Sequence, residues 1–484
     1  MLKRFFKDGV VYGLAGLFAR SVSIITLPLY TRVLSPTDFG VIDLTLLFTV
    51  FCGVIIPFGI SSGVARFFPD ETTAEGKMLI ASSGLWFISL THLLFVAAAL
   101  SFAEPLMVWT LGSVQWSQAY YLGLVMIVTG GFFYYFQNLL RWRLEPKRYV
   151  FCSLVSIFVT VAVALFAIFA ARMGVSGIFI GQICGNLVGG ALAWHMSREL
   201  FKLRFSAPNL SAMLLFSVPL LPVLVGEFVT NYIGRMSIHT LLSLEELGRY
   251  GIGFRMASLA GLIMIGFSSS LTPLVYANYQ KQETRAEIAR IFRFFVLIAL
   301  SAVLFLALFS KEMLWVFTGP AYYSAWIVIP ILAPGLLLIS MFNFAPGIDI
   351  AKKTKVSAVI QVVTALLSVA SNFLLIPWLG IAGSALATLL SGMFSFTAYM
   401  AYSQRYYAVP HQWGRLGAAL GVVALAGATG VAFGMRQDVT LGATLVKAMA
   451  GLLAVLGIAR ILLSSQEIGI VRTKLGDLLN AKHQ

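Results

Sequence analysis

Arginine in the middle of an apolar run is the first sign of chemistry in this sequence. The stretch Val10–Leu29 carries Arg20 among residues otherwise suited to a bilayer. At about 1.5 Å per residue, Arg20 stands roughly 15 Å from Val10, near the centre of a hydrocarbon core about 30 Å thick. A central Arg costs about 2.5–3.5 kcal/mol on insertion scales. A chain keeps one where it faces a cavity or a partner. Gly13, Gly16 and Ser23 share its helical stripe, and a small, polar face suits a wet cavity better than lipid. Gly251, Arg255 and Ser258 repeat the spacing Gly-x3-Arg-x2-Ser. Guanidinium is planar, permanently charged and able to bond in pairs, so both positions suit a phosphate-bearing anion. The competing reading is an Arg bonded to a helix carbonyl or carboxylate, locking packing.

A second group sits on one later stretch. Glu227, Asn231 and Arg235 are spaced by four and share a helical face. Arg235 and Asn231 join Arg20 and Arg255 as candidate substrate contacts. Glu227 has two readings, a proton or sodium site or a counter-charge for a nearby Arg. Asp43 is a weaker ion-coupling candidate, expected to be an interfacial residue at a helix start. Pro219 and Pro222 remove backbone hydrogen bonds and should bend their helix, and Pro28 does so near the end of the first. Bendable helices of this kind are candidate gates. Lys447 is expected to snorkel or pack.

The elements that must position these residues are membrane helices. The chain has 484 residues, 59% hydrophobic and only 11% charged, with a mean hydropathy of +0.90. Soluble domains carry about 25% charged residues. The 43 glycines fit helices that approach closely in lipid. Cys52, Cys152 and Cys184 lie in apolar stretches and read as small core residues; the scattered histidines offer no metal quartet. No G-x-x-x-x-G-K-[ST] segment is present, so neither ATP nor another bound cofactor is expected, with H+ or Na+ the candidate coupling ions. Lys3, Arg4 and Lys7 precede a full-length span with no cleavage site after it, and that span is expected to be retained.

Apolar runs predict fourteen spans, at 10–31, 40–64, 78–102, 116–139, 148–171, 174–196 and 211–234, then 248–275, 290–310, 325–348, 355–378, 380–402, 415–434 and 440–463. With the N-terminus in the cytoplasm and residues at span ends counted with the adjoining segments, 25 of the 34 Lys and Arg are internal and 6 external, leaving Arg20, Arg255 and Lys447 deep within spans. That alternation supports the count and cytoplasmic termini. The tail stretch Ile468–Leu479 is amphipathic and expected at the membrane surface.

The chain also repeats. Leu34–Gly40 and Leu242–Gly248 both read L-S-x-x-[DE]-[FL]-G, offset by 208 residues. Gly174-Val-Ser-Gly and Gly380-Ile-Ala-Gly open later spans at an offset of 206. Six spans preserve orientation, so the repeats are parallel, with substrate expected between them. The expected fold is all-α. Residues 1–205 form one six-helix bundle and 206–410 the second. Residues 411–464 add helices 13 and 14, and 465–484 form a cytoplasmic tail.

The segment Pro28–Gly40, followed by Gly63-Val-Ala-Arg-Phe-Phe68, resembles the bacterial polysaccharide-transport (Wzx-type) flippases. These belong to the multidrug/oligosaccharidyl-lipid/polysaccharide exporter superfamily. The resemblance implies a V-shaped pair of bundles around a cationic cavity. It implies alternating access that moves undecaprenyl-pyrophosphate-linked oligosaccharide repeat units from the inner to the outer leaflet of the bacterial cytoplasmic membrane, for O-antigen, capsule or exopolysaccharide. Polysaccharide polymerase and chain-length proteins would be partners, and nucleic acid would not. Two alternatives stand beside it: a cation-coupled multidrug exporter, which should favour carboxylates over deep arginines, and a membrane polymerase or ligase, an enzyme that needs a larger external loop. Membership of a synthase complex is a third.

Overall fold

Backbone N–H and C=O groups in lipid must be satisfied within their own segment, so long apolar runs become helices. The computed structural model describes residues 18, 21–202, 204–264, 267, 271, 275, 278–436, 439–464 and 467. The described residues contain helices, turns and no strand. The first helices are α1 (Ser21–Tyr30), α2 (Pro36–Ile55), α3 (Ile60–Phe67), α4 (Ala74–Ser101), α5 (Ala103–Leu111) and α6 (Ser117–Trp142). Then come α7 (Pro146–Phe169), α8 (Val175–Ser197), α9 (Ala207–Ser217), α10 (Leu221–Leu241) and α11 (Leu244–Ala257). The later ones are α12 (Gln282–Leu308), α13 (Ser310–Phe317), α14 (Val328–Ser340), α15 (Gly347–Ile350), α16 (Thr354–Leu379), α17 (Ile381–Tyr406), α18 (Trp413–Arg436) and α19 (Leu441–Leu462).

Among the described residues, 11 stretches are long and apolar enough to cross a membrane, or 12 with the bent pair Ala207–Leu220 and Leu224–Leu241. These twelve correspond to twelve of the fourteen expected spans. The other two, 10–31 and 248–275, run into residues outside the described ones. The bent pair turns through 42°. The break between them, residues 221–223, holds Pro222 in the first turn of α10, and the 3-10 turn Val218–Leu220 just before it holds Pro219. Pro lacks the donor a continuous helix needs there.

Local signals set several helix starts. Ser35 caps α2 through the backbone of Asp38, whose carboxylate accepts from the Ser35 N–H at 2.8 Å, and Pro36 occupies the first turn. This capping box starts α2 four residues before the apolar run does. Thr73, Ser206 and Thr440 cap α4, α9 and α19.

The repeat is visible in the pattern of breaks. α4 ends at Phe102 before the short α5, and α12 ends at Phe309 before the short α13, an offset of 207 residues. Leu144 and Lys352 both take positive φ, at 58° and 56°, as do Gly174 and Gly380, at 54° and 59°. Leu and Lys rarely adopt such backbone, so matching pairs at matching offsets mark equivalent turns.

The chain divides into two compact units, residues 1–251 with 372–381, and 252–371 with 382–484. In the first, Ile60, Val64, Ile88, Tyr135, Leu139 and Met213 belong to one buried cluster. α8 presents Gly177, Gly181, Gly185 and Gly189 at intervals of four. A Cβ on any of them would press into α7, against Ile168, Thr160 or Ser156. Small residues at this spacing let two helices in lipid pack backbone to backbone. The connection to α9 is stitched to α4: the Lys202 N–H donates to Ser82 Oγ at 3.1 Å, and the Ser206 N–H to Ser83 Oγ at 2.9 Å. In the second unit, Gly335 of α14 meets the Leu389 backbone of α17, and Gly392 meets the Gly335 carbonyl. Phe292 and Phe295 each pack on the Phe344 ring in the same unit.

Candidate functional site

The candidate residues fall on α2, α10 and α11. Arg20 lies outside the described residues, and so does the side chain of Glu227. Pro28 lies in α1.

In the first unit, α10 packs against α2 beyond the Pro219–Pro222 break. Phe228 anchors it, its ring 5.1 Å from Phe51 of α2 and 4.8 Å from Tyr232. The Arg235 guanidinium lies over Tyr232 at 5.6 Å. Residues 228, 232 and 235 share a helical face, so the aromatic ladder carries the charge at its end. A cation over a ring face is attracted by the ring's negative face, which fixes where the guanidinium sits. Arg235 is half-buried and Asn231 exposed. The structure thus brings Asn231 and Arg235 onto one helix and adds Phe51, Phe228 and Tyr232. The Phe228-Tyr232-Arg235 spacing is the signal in the sequence that could have revealed the ladder.

Asp43 is not at a helix start. α2 begins at Pro36, so Asp43 lies two turns inside it and is only 3% exposed. A Cβ on Gly251 of α11 would overlap the Asp43 carboxylate. Gly251 therefore makes the room in which the carboxylate sits. The expected helix start is corrected by the Ser35 cap, which moves the start of α2 toward the N-terminus.

Arg255 occupies the last turn of α11 and is half-buried. Ser258 Oγ donates to the Arg255 carbonyl at 2.8 Å, so this hydroxyl is spent on its own helix. Lys447 does not snorkel: its Nζ donates to Glu312 Oε1 at 2.8 Å, the side chains 7% and 11% exposed.

The second unit holds a broad apolar groove of about 740 Å³ between α12, α14, α17 and α18. Val296, Leu300, Pro334, Leu338, Met393 and Leu420 are among its walls. Its volume falls in the range of about 300–1,000 Å³ typical of ligand pockets. Phe292 and Trp413 line one end, and the His411 ring packs on both, at 4.7 and 5.2 Å. Burial pushes the His411 imidazole down to about 4. No group of three metal-ligating side chains occurs among the described residues.

Residues 29–327 match the family of polysaccharide biosynthesis proteins. The chain is 24% identical over 324 residues to the succinoglycan biosynthesis transport protein ExoT of Rhizobium meliloti (strain 1021), covering 64% of this chain and 62% of that relative. It is 20% identical over 401 residues to Lsg locus putative protein 1 of Haemophilus influenzae, covering 78% and 95% respectively. Among solved structures, the lipid II flippase MurJ in an inward closed conformation superposes with a TM-score of 0.72 at 14% identity, over 93% of this chain and 98% of that one. An inward-facing multidrug resistance transporter of the MATE family gives 0.66 at 14% identity, over 80% and 94%. At this identity the structural likeness speaks for the fold.

Proposed function

The chain belongs to the polysaccharide biosynthesis protein family, the polysaccharide-transport branch of the multidrug/oligosaccharidyl-lipid/polysaccharide exporter superfamily, and from that premise we propose that it is a flippase for lipid-linked oligosaccharides. Its cargo is an undecaprenyl-pyrophosphate-linked repeat unit, moved from the inner to the outer leaflet of the bacterial cytoplasmic membrane. The observation that carries the reading is the repeated pattern of helix breaks at 102 and 309, 144 and 352, and 174 and 380. Parallel repeats of this kind rock about a substrate held between them.

On this reading fourteen spans form two six-helix bundles, 1–205 and 206–410, in a V around a central cavity. Helices 13 and 14 follow at 411–464, and the tail 465–484 and the N-terminus lie in the cytoplasm. Arg20, Arg255 and Arg235, with Asn231, bind the pyrophosphate and its first sugar. Their permanent charge and forked donors match a phosphodiester. The Pro219–Pro222 break lets α10 move while α9 stays packed. Glu227 and Asp43 are the candidates for coupling to H+ or Na+. The chain is a transporter, not an enzyme, and works beside a polysaccharide polymerase and chain-length proteins. Deep arginines favour this cargo over the cationic drugs of a multidrug exporter.

The test is reconstitution. Proteoliposomes carrying a lipid-linked oligosaccharide in both leaflets are treated with a membrane-impermeant sugar oxidant. Complete oxidation with the protein, against about half in empty vesicles because only one leaflet is reached, supports the reading. A protected fraction identical in both overturns it. Arg20→Ala should reconstitute normally and leave the inner leaflet protected.

A further inference from the structure

The apolar groove of the second unit has a charged end that the transport reading does not use. Arg293, Val296 and Leu300 stand three and four residues apart on α12 and share a helical face. Val296 and Leu300 line the groove, as does Phe292 beside Arg293, so Arg293 sits at the end of the apolar wall on the side where α12 begins. Arg290 lies one turn further. Both guanidinium groups converge on a single oxygen, Glu467 Oε1, at 3.0 Å from Arg290 Nε and 3.1 Å from Arg293 Nη2. The other Glu467 oxygen accepts the Ser464 N–H at 2.9 Å. Arg293 is 14% exposed along its side chain, and its Nε is buried with no partner among the described residues. Two positive charges thus hold one negative charge, with a donor to spare. On the same end, Trp413 and Phe292 close the apolar wall, with His411 between them. A tryptophan there is what the boundary between hydrocarbon and headgroups selects.

We propose that this groove and its arginine pair bind an anionic phospholipid of the leaflet in which α12 begins, one acyl chain in the groove and the phosphate on Arg290 and Arg293. The Glu467 carboxylate occupies the phosphate position when the lipid is absent. Charge complementarity selects the occupant: a phosphodiester gives the pair two acceptor oxygens where a carboxylate shared with Ser464 gives one. A zwitterionic lipid brings its own cation to the arginines and is disfavoured. The site takes its chemistry from these residues alone and does not depend on the flippase reading. In the proposed orientation the leaflet is the cytoplasmic one.

The test is native mass spectrometry of the full-length protein, purified in mild detergent and offered phosphatidylglycerol, phosphatidylcholine or undecaprenyl phosphate. The wild type should retain phosphatidylglycerol about tenfold over phosphatidylcholine, the worth of one charge-assisted contact. The R290Q/R293Q variant should lose that preference. E467Q, which removes the competing carboxylate, should raise retention. L300W, which fills the groove and leaves the arginines in place, should lower it. Equal retention of both phospholipids by the wild type overturns the proposal, as does E467Q or L300W behaving as wild type. Retention of undecaprenyl phosphate with phosphatidylglycerol excluded also overturns it, assigning the groove to the transported carrier. The oxidant assay above reads transport separately, so the two readings fail independently.

Discussion

Gly40 and Gly248, equivalent positions in the two copies of the L-S-x-x-[DE]-[FL]-G motif, lie against each other's helices in a reciprocal contact. A Cβ on Gly40 would overlap the Leu244 carbonyl, and one on Gly248 would overlap the Pro36 carbonyl. Pro36 and Leu244 are themselves 208 residues apart, the offset of the motif. Residue i of one copy therefore meets residue j of the other, and j meets i, as a two-fold relation requires. Both copies begin with a serine cap, Ser35 on Asp38 and Ser243 on the Glu246 N–H at 3.2 Å. The repeat is thus expressed as a crossing of α2 and α11 at their N-terminal ends.

The crossing predicts how these glycines respond to substitution. Gly40→Ala and Gly248→Ala should each cost about 1–3 kcal/mol, since the added methyl meets backbone, which cannot swing aside. Gly53, on the same α2 helix, has nothing within 4 Å of its would-be Cβ. Gly53→Ala should be neutral or slightly stabilising. Thermal unfolding in detergent reads all three. Equal midpoints for Gly40→Ala and Gly53→Ala would contradict the contact.

The spans are legible because lipid leaves the backbone no alternative to helix, so apolar length alone predicts them. Following the apolar run from 40, rather than the Ser35-Pro36-Asp38 cap, misplaces the start of α2 and puts Asp43 at a helix start. Between snorkelling and packing, the sequence leaves Lys447 open because its partner, Glu312, is 135 residues away, a distance no local pattern spans. The helix break at Phe102 has a local signal, Pro105, which has no N–H to give the Ser101 carbonyl; the break at Phe309 carries neither Pro nor Gly, and only its recurrence marks it. The stripe Gly177-Gly181-Gly185-Gly189 is plain in the sequence, but its use becomes visible only with α7 packed on it.

The Lys447–Glu312 pair gives a second prediction. Lys447→Met leaves a buried carboxylate without its cation, at a cost of about 3–5 kcal/mol. Removing both charges, as Lys447→Met with Glu312→Leu, should recover most of the loss, because the desolvation penalty goes with them. A double variant no more stable than the single one would show that the pair's packing, not its charge balance, matters. The unfolding midpoints of the three proteins decide it.

His411 gives a pH dependence. Its ring, packed on Phe292 and Trp413, titrates in the folded protein at about 4 rather than the ordinary 6.5. Burial favours the neutral imidazole. Between these values the unfolded chain binds a proton that the folded chain refuses, so stability rises with pH across that window. It is full above 6.5, declines as pH falls toward about 4, and loses nothing further from this group below that. His411→Phe keeps the ring stack and removes the titration. Its unfolding midpoint should fall less than the wild type's from about pH 7.5 to about pH 4.5. Parallel curves would exclude the histidine as a source of acid lability.

The Pro219–Pro222 break gives the last. α9 is fixed on its side of the break: Met213 is 1% exposed beneath Gly63, Phe216 packs edge-on to Phe67, and Ser82 and Ser83 hold the connection that precedes it. α10 departs at 42°. Pro219→Ala with Pro222→Ala restores two backbone donors, so a straight helix becomes available to the segment. If the bend is the joint about which α10 moves in transport, the double variant should be at least as stable as the wild type yet slower in the oxidant assay. A break that is merely tolerated would give a stabilised protein with undiminished transport. Spin labels on exposed positions of α9 and α10, such as Leu215 and Met236, would report in the same samples whether the angle opened.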